Sequence, residues 1–245
     1  MSGLDYAPRT ARQAPSMALD VGLRSYMLGI YNKMSLGLAL SAAIAWAVGS
    51  VPALSSLVFG TPLRYVVMFG PLALLLVAAF AMRRPSPLAA NLLYWTVATL
   101  IGASLGAWVL AANFGAGAGF LTIAKAFFIT AGAFGALSLW GYTTRRDLSA
   151  MGTILVMGVV GLVLASLANM FFQSSLLGFI ISLVGVAVFS ALTAFDTQRL
   201  KQEYYMLEAG SREMAAATSL GALSLYLNFV NLFQFILSIL SPRQE

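Results

Sequence analysis

Neither cysteine nor histidine occurs in the 245 residues of this chain. Without thiols there is no disulfide, no thiolate nucleophile and no thiolate metal site. Without imidazole, the usual physiological-pH switch and the commonest metal ligand are missing as well. Charge is scarce too: Asp, Glu, Lys and Arg make up 9% of the residues, against about a quarter in an ordinary soluble domain. What fills the space is apolar. Hydrophobic residues are 60% of the chain, and runs near 20 residues recur along its length, each able to cross a hydrocarbon core of about 30 Å as a helix.

These runs predict an all-α integral membrane protein, a bundle of seven transmembrane helices over residues 29–240. The spans fall at about 29–50, 64–82, 89–112, 118–142, 150–171, 176–197 and 219–240. Residues 1–28 carry Asp5, Arg9, Arg12, Asp20 and Arg24 without an apolar core. They read as a cytoplasmic N-terminal tail rather than a signal peptide, with the first span retained.

The connections set the orientation. Arg9, Arg12, Arg24, Lys33, Arg83, Arg84, Arg145, Arg146, Arg199, Lys201 and Arg212 all fall on one side, whereas Arg64 and Arg243 fall on the other. By the positive-inside rule the N-terminus is cytoplasmic and, with an odd number of spans, the C-terminus is outside. The net charge of +6 thus reports membrane topology, not nucleic acid. Pro52 and Pro62 bracket an outer loop, and Pro85 and Pro87 stop the second span behind Arg83 and Arg84. Gly102 and Gly106 form a GxxxG pattern, read as helix packing. The Gly115 to Gly119 segment lacks the Gly-Lys-Ser/Thr ending of a phosphate loop and reads as a turn. Lys125 is expected to snorkel to the outer interface, with a place on an ion path the minor alternative. Residues 199–219 mix charges with Tyr204, Tyr205, Met206 and Leu207, as an amphipathic stretch on the cytoplasmic interface would.

Asp196 is the one acid within a predicted span. An intramembrane aspartyl protease needs two such carboxylates. A Ser–His dyad and an HExxH zinc site both need His, and a retinal Schiff base would call for a Lys that the last span lacks. Neither an enzyme nor a bound cofactor is expected. What remains is a polar seam. Gly178, Ser182, Gly185, Phe189, Thr193 and Asp196 share one stripe of the sixth span; Gly221, Ser224, Asn228, Asn231, Phe235 and Ser238 share one of the seventh, with Gln234 beside it. Interhelical hydrogen bonds account for the hydroxyls. A carboxylate is costlier, about 2.5–3.5 kcal/mol at a helix centre and less near an interface. Asp196 therefore calls either for a local Arg199 partner at i, i+3 or for a functional role.

Two motifs now carry a resemblance: Phe195-Asp196-Thr197-Gln198-Arg199, and the run from Ala222 to Phe233 that contains Leu-Tyr-Leu-Asn-Phe-Val-Asn. On seven short-looped spans they resemble the Bax inhibitor-1 family of transmembrane Bax inhibitor motif proteins, in a bacterial-type form. The resemblance implies a pH-sensitive Ca²⁺ leak gated by two aspartates, on the sixth and seventh spans, with an Arg from the end of the second bonded to the first. The matching positions are Asp196 and Arg83, with Arg84 the alternative to Arg83. The second aspartate falls at Asn228, an amide, so one carboxylate is left where proton sharing needs two and pH sensing is expected to be weakened. The expected gate and ion path comprise Asp196, Asn228, Arg83 and Asn231. The expected partners are the lipid bilayer and calcium or other cations, with calcium a permeant ion rather than a cofactor. Short loops and the lack of Cys suggest a bacterial inner membrane. A second function stands beside the leak: a non-conducting regulator that binds and restrains a membrane protease through its N-terminal residues.

Overall fold

Proline, serine and glycine set the helix boundaries in the computed structural model, which describes residues 17–81, 85–115, 118–208 and 210–241. The helices are α1 (Met17–Ser50), α2 (Pro52–Phe59), α3 (Leu63–Ala81), α4 (Pro87–Asn113), α5 (Phe120–Thr143), α6 (Gly152–Phe172), α7 (Ser175–Tyr204) and α8 (Arg212–Leu240), and no strand occurs among the described residues. Ser86 caps α4, accepting from the Ala89 amide at 3.2 Å with Pro87 in the first turn, where a missing N–H costs nothing. Ser174 and Ser211 cap α7 and α8 in the same way. Gly210, at φ +75°, supplies the left-handed step that turns the chain into the α8 cap.

Seven of these helices are long and apolar enough to cross a membrane. Three boundaries differ from the sequence expectation. The expected tail over residues 1–28 gives way at Met17 to α1, whose Leu23, Tyr26 and Met27 are buried while Arg24 points outward. The helix outlasts the apolar stretch because its inner face stays packed. The loop expected between Pro52 and Pro62 contains α2, started by Pro52. The interfacial segment expected over residues 199–219 is absent as a separate element: α7 continues to Tyr204 and α8 begins at Arg212.

The bundle is built around α8, which packs on α1, α4, α5 and α7, whereas α3 leans on α4 and α6 on α7. The α1–α4 contact rests on the two expected glycines. A Cβ at Gly102 would stand 2.8 Å from the Ser41 Cα, and one at Gly106 would stand 2.8 Å from a Val48 methyl. Any larger residue would push these helices apart, so Gly102 and Gly106 serve packing within the chain. Beside them the Ser41 hydroxyl meets the Tyr226 hydroxyl at 2.7 Å and the Ala98 carbonyl at 2.9 Å, which ties α1, α4 and α8 together.

Helices alternate in direction, so the start of α1, the end of α5, the end of α7 and the start of α8 share one end of the bundle. Arg24, Arg145, Arg146, Arg199, Lys201 and Arg212 lie there, and Arg64 lies at the other. At this basic end Gln198 clamps the α5–α6 connection, donating to the Arg146 carbonyl and accepting from the Leu148 amide, both at 2.8 Å. In the same connection Asp147 accepts from the Ser149 amide, and hydrogen bonding to Ser149 holds its carboxyl below the usual carboxylate range.

Candidate functional site at the seam between α7 and α8

Asp196 lies eight residues before the end of α7, about 12 Å along the axis. The 30 residues of α7 measure about 45 Å, more than a hydrocarbon core, so its basic end must project towards the interface. Asp196 is 4% exposed. Its Oδ2 accepts from the Ser224 hydroxyl at 2.6 Å and from Asn228 Nδ2 at 2.8 Å, both on α8. Its Oδ1 pairs with an Arg199 guanidinium nitrogen at 3.0 Å. Arg199 also donates to the Ser224 hydroxyl at 3.3 Å. One carboxylate is thus held by a cation, a hydroxyl and an amide, across two helices.

The spacing explains why they meet. Ser224 and Asn228 are four apart on one face of α8, and Arg199 is one turn beyond Asp196. Asn228 is 4% exposed, whereas the Arg199 side chain is half exposed and keeps much of its hydration. The ion pair therefore straddles a boundary, with its acid inside and its base at the surface.

Of the expected site residues, Asp196 and Asn228 are brought together. Asn231 is not: its Nδ2 turns back to the Leu227 carbonyl of its own helix at 2.8 Å. Arg83 and Arg84 lie outside the described residues. Arg199 fills one side of the carboxylate, and Ser224 joins the site from the expected stripe. Among the described residues no group of three or more acidic side chains forms a ligand set for a metal ion.

Away from the basic end the seam is closed. Phe189 and Phe235 face each other at 5.8 Å between ring centroids, and the Phe235 ring fills the space above Gly185. Farther along, Ser182 donates to the Ser238 hydroxyl at 3.0 Å. Hollows flank the seam at both ends. One of about 450 Å³ lies at Arg199, Gln202 and Glu203; one of about 320 Å³ lies at Asn169, Gln173 and Ser238.

A second polar cluster was not foreseen. Lys33, counted in the sequence only as a topology charge, points into the bundle. It donates to Asn91 Oδ1 at 2.5 Å and to the Ser219 hydroxyl at 2.7 Å, and stands 5.6 Å from the Tyr94 ring centroid. No carboxylate pairs with it among the described residues. Its partners come from α4 and α8, and no local spacing announces them. Lys125, by contrast, is exposed on α5 and forms no ion pair or hydrogen bond with a described residue.

The comparisons with known proteins agree with this architecture. Residues 23–245 match the family described as "Inhibitor of apoptosis-promoting Bax1". An uncharacterized protein of Caulobacter vibrioides is 49% identical over 98% of this chain and 97% of its own length. The uncharacterized protein RP147 of Rickettsia prowazekii is 39% identical over 99% of this chain and all of its own. The inner membrane protein YbhL of Escherichia coli is 36% identical over 91% of this chain and 94% of its own. With its seven apolar helices, the chain is an integral membrane protein and belongs to the Bax inhibitor-1 family.

Proposed function

We propose that the protein is a cation leak, with calcium as a permeant ion, shut at its basic end by the Asp196 cluster. The observation that carries this reading is a single carboxylate, buried in the seam, whose charge is met by Arg199 and whose remaining oxygen ties α7 to α8 through Ser224 and Asn228. Packing alone does not call for a charge there, since an amide would make similar bonds without one to desolvate. A cation arriving between the helices would compete with Arg199 for Asp196 and loosen the cross-link. The aromatic contact of Phe189 with Phe235 is a second closure, which the same separation of α7 and α8 would relieve. The asymmetry of charge supports a cytoplasmic basic end and N-terminus, and an outside C-terminus. The name of the Escherichia coli relative supports a bacterial inner membrane. On this reading the protein is not an enzyme and carries no cofactor.

Calcium flux into proteoliposomes of the purified protein tests the proposal. Arg199→Gln, which weakens the cation's competitor, should raise the flux several-fold over wild type. No flux in either protein at any pH would sink it.

A further inference from the structure

α1 and α5 line the same two hollows but make no extended contact with each other. They touch at the end away from the basic face, where the Trp46 and Phe120 rings stand 5.6 Å apart. Between there and the basic end lies a cleft floored by Phe229 of α8. Two hollows of about 400 and 750 Å³ follow one another along it, meeting at Leu38, Phe127 and Phe229. The smaller is lined by apolar and aromatic side chains and one hydroxyl, Ser41, which is already engaged with Gly37, Ala98 and Tyr226. The larger runs along α1 from Arg24 to Leu38, about 21 Å, which covers one leaflet of a 30 Å core and its interface.

What occupies this cleft follows from its walls and its mouth. Leu28 and Leu139 on its rim are exposed in a chain that lies in a bilayer, so the cleft opens sideways onto hydrocarbon rather than water. A helix about 10 Å across cannot pass the end that Trp46 and Phe120 close, whereas an acyl chain reaching from the open end need not. At the basic mouth Arg24 is exposed and forms no hydrogen bond or ion pair with any described residue. Tyr142 lines the same mouth. Lys201 stands beside it, donating to the Tyr142 carbonyl at 2.9 Å and lying 5.0 Å from its ring centroid. The arrangement is a largely apolar slot whose mouth carries two cations, of which Arg24 has no described partner.

We propose that this cleft is a binding site for an anionic phospholipid of the surrounding membrane, its acyl chain along α1 and α5 and its phosphate at Arg24 and Tyr142. The site is separate from the seam between α7 and α8 and does not depend on ion conduction.

The test is native mass spectrometry of the detergent-solubilised full chain with dioleoyl phosphatidylglycerol, dioleoyl phosphatidylcholine or oleate added. Wild type should retain phosphatidylglycerol over phosphatidylcholine, and Arg24→Gln should cut that preference about fivefold, the worth of one basic residue at a membrane surface. Gly135→Phe should abolish retention of both lipids. Gly135 lines the larger hollow and has nothing within 4 Å of an added Cβ, so the ring can enter the slot. Ser35→Phe, from the opposite wall, is the second filling variant should Gly135→Phe fail to fold. Equal retention of the two phospholipids by wild type would overturn the proposal. So would preferential retention of oleate, or full retention by the filled variants that fold.

Discussion

Asp196 and Lys33 both turn a charged end into the bundle, and the bundle treats them in opposite ways. Asp196 meets a formal charge, Arg199, and two neutral donors. Among the described residues Lys33 meets neutral acceptors only, Asn91 and Ser219, and the face of Tyr94. The difference lies in what each is fastened to. The Asp196 bonds join α7 to α8 and include a half-exposed cation that another cation could displace. The Lys33 bonds join α1, α4 and α8 through dipoles that no ion in solution can exchange. The first cluster has the makings of a switch and the second those of a rivet.

Substitutions can sharpen that contrast. The largest effect should come from Arg199→Ala, which leaves a 4%-exposed carboxylate without its cation. A loss of about 2–3 kcal/mol is expected, below the cost of breaking a fully buried pair because Arg199 is half hydrated. Combining it with Asp196→Asn should restore most of the stability, since no buried charge is then left unpaired. Unfolding in mixed micelles measures both, and a double variant as weak as Arg199→Ala would show that packing, not charge, is at stake.

Asn91→Leu should cost less, about 1–2 kcal/mol, by taking one of two neutral acceptors from Lys33. Because this cluster joins helices without an exchangeable ion, the stability loss should come with unaltered cation selectivity in flux assays. A changed selectivity would put Lys33 on the path and erase the distinction. The smallest effect belongs to Lys125→Gln. An exposed cation on α5 without a described partner should change neither stability nor flux when neutralised.

How much of this was legible in the sequence depends on the range of each interaction. Asp196, Ser224 and Asn228 could be found because each lies on a stripe set by helical periodicity, and two polar stripes inside a membrane bundle tend to face each other. Arg199 was legible as one of two options, being one turn away. Lys33 was not, because its side-chain acceptors lie 58 and 186 residues distant and a tally of charges treats every cation near a helix end alike. The start of α1 escaped for a related reason. Polar composition marks where hydrocarbon ends, but a helix continues while its inner face has something to pack against, as Leu23 and Met27 do.

On the proposed function, Asp196, with an amide rather than an acid opposite it, closes a cation path without forming a proton-sharing pair. Two carboxylates in contact share a proton and titrate together, whereas Asn228 offers nothing to titrate. Calcium flux measured against pH on the basic side, from about 6 to 8, for wild type, Asn228→Asp and Asp196→Asn tests this most directly. Wild type should give a nearly flat profile and Asn228→Asp a steep one. A steep wild-type profile that survives Asp196→Asn would contradict the proposal, placing the sensor elsewhere and leaving the seam as packing alone.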